Sequence, residues 1–163
     1  MKEQEVLKMN FYDYLVRKAD IDNVIKLLVG AIIVDDSGNF LLVKRGSSSF
    51  MGGIFEIPSG NIEYGETILH ALSREIKEET NLNLRKVDAF INWFDYQSSD
   101  DKKSRQLNFM VSIECFSTPI ILSEHEDYKW THYSNIEKST DITPELKYTL
   151  MIVAFSLSQK FED

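Results

Sequence analysis

Residues 58–82 read PSGNIEYGETILHALSREIKEETNL, and the reading of this stretch decides the fold. From about Thr67 to Thr80 the apolar residues recur at helical spacing: Leu69, Leu72 and Ile76 form a stripe, with Ile68 and Ala71 beside it. At about 100° per residue, Glu75, Glu78 and Glu79 fall within roughly a 100° arc bordering that stripe, Glu79 nearest the core. Glutamates at such spacing repel and weaken an isolated helix by a few tenths of a kcal/mol, so helix propensity does not explain them. They can converge on one point, and carboxylate oxygens so gathered suit a hard divalent ion such as Mg²⁺. Asn81 follows as a residue able to end the helix in the left-handed conformation. Glu66 is placed favourably against the helix N-terminus.

Outward from this helix, strands and helices interleave. Residues 24–34, VIKLLVGAIIV, and 40–45, FLLVKR, are apolar and β-branched runs separated by DDSGN, and they read as a hairpin. A short extended piece is expected around residues 54–57, strands at 87–96 and 105–116 joined by SSDDKKS, and a further short strand at 128–133. Thr143 and Pro144 open a last helix with Leu146, Leu150, Val153 and Leu157 at helical spacing. The pattern predicts an α/β fold with helices covering a mixed sheet. Residues 24–163 form the domain, and 1–23 an N-terminal extension that packs on the domain or on a partner subunit.

Composition bounds the function. The 163 residues suit one globular domain. Eighteen basic against twenty-six acidic residues give a net charge of −8, which argues against binding a nucleic-acid polymer through its backbone. An acidic protein that handles phosphates needs a cation. The single cysteine, Cys115, is read as a small buried hydrophobe on a strand and fits a reducing compartment. No stretch approaches the length of a membrane span or a signal sequence, so the expectation is a cytoplasmic protein.

Gly60, five residues, Glu66, seven residues, then Arg74-Glu75-Ile76-Lys77-Glu78-Glu79-Thr80-Asn81-Leu82 resembles the signature of the Nudix hydrolases, with Asn81 in place of glycine as the one departure. The six polar or glycine positions would recur by chance in such a chain on the order of once in 10⁵. The resemblance covers about residues 24–158. It implies the Nudix-type α/β/α sandwich with a central mixed β-sheet, and hydrolysis of a diphosphate bond in a nucleotide substrate. That substrate is a nucleoside triphosphate or a nucleoside diphosphate linked to another group, and the reaction uses Mg²⁺ or Mn²⁺. It implies metal binding by Glu75, Glu78, Glu79 and the Ser59 carbonyl, with Glu75 alternatively the general base. Arg74 is expected to hold a loop carboxylate or one of the glutamates in place, in support of catalysis. A further glutamate completes such sites, Glu124 being the first choice and Glu126 the second.

Arg45, at the end of a strand, is a phosphate candidate. Phe94 and Tyr128 are candidates for stacking on a base. His125 and His132 read as ordinary surface and sheet residues, and Lys102, Lys103 and Arg105 as a solvated turn. Two alternatives are a nucleotide-sensing module of the same fold without catalysis, and isopentenyl diphosphate isomerase. The first is disfavoured by the complete set of box glutamates. The second, which resembles this family but has an altered box and a catalytic cysteine, is disfavoured by the intact box and the lone Cys115. The apolar and aromatic residues of 5–16 suggest a homodimer.

Overall fold

The computed structural model describes residues 10–49 and 51–161. Residues 1–9 of the N-terminal extension, which include part of the segment that suggests dimerisation, lie outside the described residues. Among the described residues there are three helices, α1 (Phe11–Ile21), α2 (Ile68–Thr80) and α3 (Pro144–Phe161), with seven strands and a 3₁₀ turn at Tyr133–Lys138. The strands are β1 (Lys26–Ile33), β2 (Asn39–Lys44), β3 (Phe55–Glu56), β4 (Ser59–Asn61), β5 (Leu84–Gln97), β6 (Lys103–Ile113) and β7 (Asp127–His132).

The strands form two sheets. One has the order β4-β1-β6-β5, with β1 parallel to β6 and the other pairs antiparallel; the second is antiparallel, in the order β3-β2-β7. The expected β1–β2 hairpin is therefore absent. Only an isolated bridge, Val34 to Phe40, joins the two runs before they part into different sheets. The reason lies in burial: both strands are apolar on both faces, and side-by-side pairing is only one way to bury such strands. Odd-numbered β1 residues Val29, Ala31 and Ile33 pack with Ile68, Ala71, Leu72 and Ile76 of α2. Ile32 joins Phe40, Leu42, Ile57 and the α3 residues Leu146, Leu150 and Val153 on the other face. The result is an α/β/α sandwich, with helices on both sides of a sheet layer.

Helix α2 starts at the N-cap Thr67, whose Oγ1 accepts from the His70 N–H at 3.1 Å, and ends at Asn81 with φ 69°. Leu72 and Ile76 are fully buried, a contribution of about 1.5–3 kcal/mol each. Leu69, assigned to the apolar stripe from sequence, is instead 49% exposed, because it sits in the first turn at the edge of the buried arc. Asn81 tolerates its left-handed backbone and donates from Nδ2 to the Pro119 carbonyl at 3.2 Å. Asn81→Ala keeps the strain and loses that bond, so urea denaturation is expected to show a loss of about 1–2 kcal/mol. Asn81→Gly is expected to lose less than half of that.

Two further expectations are corrected. Cys115 is exposed, because β6 stops at Ile113 and the turn that follows carries Cys115 out of the ladder. Arg105 is buried, not part of a solvated turn: its side chain is 3% exposed, donates to both Asp95 oxygens and to Asp22, and stacks over Trp93. This ties α1, through Asp22, to the middle of the larger sheet. Leu15 and Ala19 of α1 are buried in the same packing. Among the described residues no helix is long and apolar enough to cross a membrane.

Candidate active site

The site is built where α2 crosses β4. Glu75 and Glu79 point from the buried arc of α2 and are 9% and 7% exposed, whereas the Glu78 side chain is 57% exposed. Gly60 on β4 lies directly against Glu75: a Cβ there would overlap the Glu75 carboxylate. A glycine at this point lets the strand backbone approach the helix glutamates. Gly60→Ala is therefore expected to displace Glu75 and reduce turnover at least 100-fold, with a circular dichroism spectrum like that of the wild type.

Glu79 receives one hydrogen bond, from the Ser59 N–H at 3.0 Å. Burial pushes its carboxyl up to about 9, and the neighbouring charges of Glu56, Glu75 and Glu124 push the same way. Burial also raises Glu75, against the opposing pull of Arg74. Ser59 thus reaches the site through its N–H as well as lining the cleft.

Arg74 is the hub on the outer side. Its guanidinium donates to both oxygens of Glu66 at 2.8 and 3.0 Å, to Glu75 at 2.7 Å, to Glu78 at 3.2 Å and to the Asn61 carbonyl at 2.9 Å. Arg74 in turn holds the Glu66 carboxyl down at about 2. Arg74 thus contacts three carboxylates at once, those of Glu66, Glu75 and Glu78. Among the described residues no three His, Cys, Asp or Glu side chains are drawn together around one point, and Arg74 Nη1 bridges Glu75 and Glu78. The donors nevertheless fit a hard divalent ion. They are all carboxylate oxygens, and buried Glu79 is held in its protonated form by burial and by three like charges.

A cleft of about 540 Å³ opens beside Glu79. Arg45, Glu56, Phe94, Glu124 and His125 line it. Glu56, on β3, accepts from Arg45 Nη1 at 3.0 Å and contacts His125 Nε2 at 3.0 Å. The His125 side chain is turned inward, 6% exposed, in contrast to the surface residue expected. Its Nδ1 has no partner among the described residues. Glu124 is exposed and close enough to raise both Glu75 and Glu79. Glu126 is engaged elsewhere, accepting from the N–H and hydroxyl of Ser47. Tyr128 is not brought into the cleft: it sits on β7 opposite Val43, 39% exposed. His132 bonds Ser134 at the start of the 3₁₀ turn, and Cys115 is not among the residues lining the cleft.

Glu56 is the carboxylate that sequence reasoning misses. The available signal is a charged residue between Phe55 and Ile57 in an otherwise apolar extended piece, four positions ahead of Gly60.

An α/β/α sandwich with a glutamate-bearing helix beside a cleft lined by charged side chains defines a class, and comparison with known proteins gives it a name. The NUDIX domain matches residues 25–150, and the chain belongs to the Nudix family. It is 36% identical over 95 residues to an ADP-ribose pyrophosphatase of Methanocaldococcus jannaschii, covering 56% of this chain and 53% of that protein. It is 35% identical over 57 residues to an 8-oxo-dGTP diphosphatase of Proteus vulgaris, covering 35% of this chain and 51% of that protein. The chain thus spans about half the length of these curated relatives. The MutT protein of Methanosarcina mazei Go1 shares the fold with a TM-score of 0.69 at 22% identity, over 77% of this chain and 90% of that one.

Proposed function

We propose that this protein hydrolyses a diphosphate bond in a nucleotide-derived small molecule. The observation that carries the reading is buried Glu79, which faces a polar cleft with a single hydrogen-bond donor and is surrounded by Glu56, Glu75 and Glu124. Glu75, Glu78 and Glu79, with the Ser59 carbonyl, would hold a divalent cation, which we take to be Mg²⁺ because every donor is a hard oxygen. Such an ion, when bound, neutralises phosphate oxygens and eases water ionisation.

The chain's own residues do the rest. Glu75 or Glu124 takes the proton of the attacking water as its oxygen bonds to phosphorus and the bond to the bridging oxygen breaks. Arg74 fixes Glu75 and Glu78. Arg45, paired with Glu56 but with guanidinium N–H groups left over, is placed to receive a phosphate. Phe94 supplies an aromatic surface in the cleft. The net charge of −8 supports a small nucleotide in preference to a nucleic-acid polymer. The lone cysteine supports action in the cytoplasm. Exposed Phe11, Tyr14 and Val16 on α1 support a homodimer, and sedimentation showing only an 18.9 kDa species would remove that part of the proposal.

The test is chromatographic identification of products after incubation with Mg²⁺ and nucleoside triphosphates, oxidised nucleotides, ADP-ribose, nucleotide sugars and dinucleoside polyphosphates. A nucleoside monophosphate formed by the wild type and not by Glu78→Gln is the expected result. No turnover, with a nucleotide still raising the melting temperature, would replace the hydrolase reading by that of a sensor.

A further inference from the structure

Beneath the cleft a file of polar side chains runs through the protein interior. Gln106 Nε2 donates to Asn108 Oδ1 at 2.9 Å, and Asn108 Nδ2 to Asn92 Oδ1 at 3.0 Å. Asn92 Nδ2 donates to Thr149 Oγ1 at 3.2 Å, and the Thr149 hydroxyl reaches the Glu145 carbonyl of α3 at 3.0 Å. Gln106 is 8% exposed, and Asn108 and Thr149 are fully buried. Each amide donates in the same direction, toward the helix. No amide of the file can turn over alone without losing its neighbour, and the Thr149 hydroxyl, which also lies 3.2 Å from Asn92 Oδ1, closes the far end. One group is left over, the Gln106 carbonyl oxygen, which no described residue bonds, at the end of the file that lines the cleft.

Three adjacent strands place this end beside an aromatic ring. Gln106 on β6 is in register with Phe94 on β5 and Leu28 on β1, and all three line the cleft. Space for the amides comes from Gly30, where a Cβ would lie 2.6 Å from both Asn108 Oδ1 and Gln106 Nε2. A hydrogen-bonded file of amides that ends at a ligand-sized cleft with a free acceptor is arranged for recognition, since a donor on a ligand there meets an amide already held in position.

We propose that Gln106 reads a nucleobase lying on Phe94, accepting a hydrogen bond from a base N–H at its Oε1, and that Asn108, Asn92 and Thr149 are positioning residues that hold this amide in one orientation. The substrate is then a nucleoside diphosphate derivative in which the base contributes to affinity, not a diphosphate recognised by its phosphates alone. The inference rests on reading the cleft as a nucleotide site.

The experiment is equilibrium binding, by calorimetry in Mg²⁺, of the α,β-methylene diphosphates of adenosine, guanosine, cytidine and uridine, with methylenediphosphonate as the probe lacking a base. At least one nucleoside probe is expected to bind about 10-fold or more tighter than methylenediphosphonate. Gln106→Leu is expected to remove most of that advantage, a loss of about 5- to 10-fold. Thr149→Val, which touches no ligand, is expected to weaken the same probe about 3-fold, and Thr149→Ser to restore it. In the wild type, the Gln106 side-chain amide resonances are expected to shift on adding the tightest probe, a readout that needs no variant to fold. Equal binding of all five probes, unmoved Gln106 resonances, or unchanged selectivity in Gln106→Leu would each overturn the proposal. Base-selective binding through Gln106 without turnover would sink the hydrolase reading and leave this one standing; turnover without base selectivity would do the reverse.

Discussion

Glu79→Gln is expected to lower kcat by on the order of 10³ and, at the same time, to make the metal-free protein more stable at pH 8. The two effects have one cause. Burial raises the Glu79 carboxyl to about 9 from an ordinary 4.5, so the folded state holds a proton that the unfolded state releases. The stability linked to Glu79 is fully present below about pH 4.5 and is lost progressively as pH climbs through about 9. Glutamine has the same shape and no charge to desolvate. Thermal melts of the metal-free wild type should therefore fall between pH 5 and 9, and those of Glu79→Gln should fall less. Millimolar Mg²⁺ should recover the wild-type loss and leave the variant unchanged. A variant with wild-type turnover would remove Glu79 from the metal set, and parallel pH slopes would remove the buried carboxylate from the explanation.

Arg74→Ala is expected to cost about 3 kcal/mol in urea denaturation, the scale on which breaking a buried ion pair acts, because Glu66, whose side chain is 5% exposed, loses its main partner. Glu66 is held down at about 2, so the folded state binds fewer protons than the unfolded one. The stability Glu66 contributes is present above about pH 4.5 and is lost as pH falls toward 2. The wild type should show this acid limb and Arg74→Ala should largely lack it. Activity should also fall, through misplacement of Glu75 and Glu78, and Arg74→Lys should rescue little, since one ammonium cannot reproduce the fork that spans Glu66, Glu75, Glu78 and a backbone carbonyl. An Arg74→Ala protein with unchanged acid stability would show that Glu66 finds another partner.

The part of the molecule legible in the sequence is the part governed by local rules. Helix α2, its left-handed Asn81 and the inward placement of Glu79 follow from a 3.6-residue period and from what asparagine does at helix ends. The separation of β1 and β2 into different sheets does not, because a strand buried on both faces carries no mark of which neighbour it will take. Glu56, His125 and Gln106 are illegible for a related reason: each gains its place from contacts that only the fold brings about, Glu56 from Arg45 across the β2–β3 pair, His125 from Glu56 sixty-nine positions earlier, and Gln106 from a file that runs through Asn108 to Asn92 and Thr149. Arg105 reads as solvated from its polar neighbours, and only the arrival of Asp22 and Asp95 makes its burial tolerable. Tyr128 is an aromatic on a strand near the site in sequence, and nothing local tells which side of the strand meets the cleft.

The contacts of α1 and of the second half of α3 separate two kinds of unit in this protein. The NUDIX domain match runs from residue 25 to residue 150, yet Leu15 and Ala19 on one side and Val153, Ala154 and Leu157 on the other are core residues, and buried Arg105 is paired with Asp22. The packed unit is larger than the matched one. A chain trimmed to residues 25–150 would keep every glutamate of the site and strip away part of the packing that holds them.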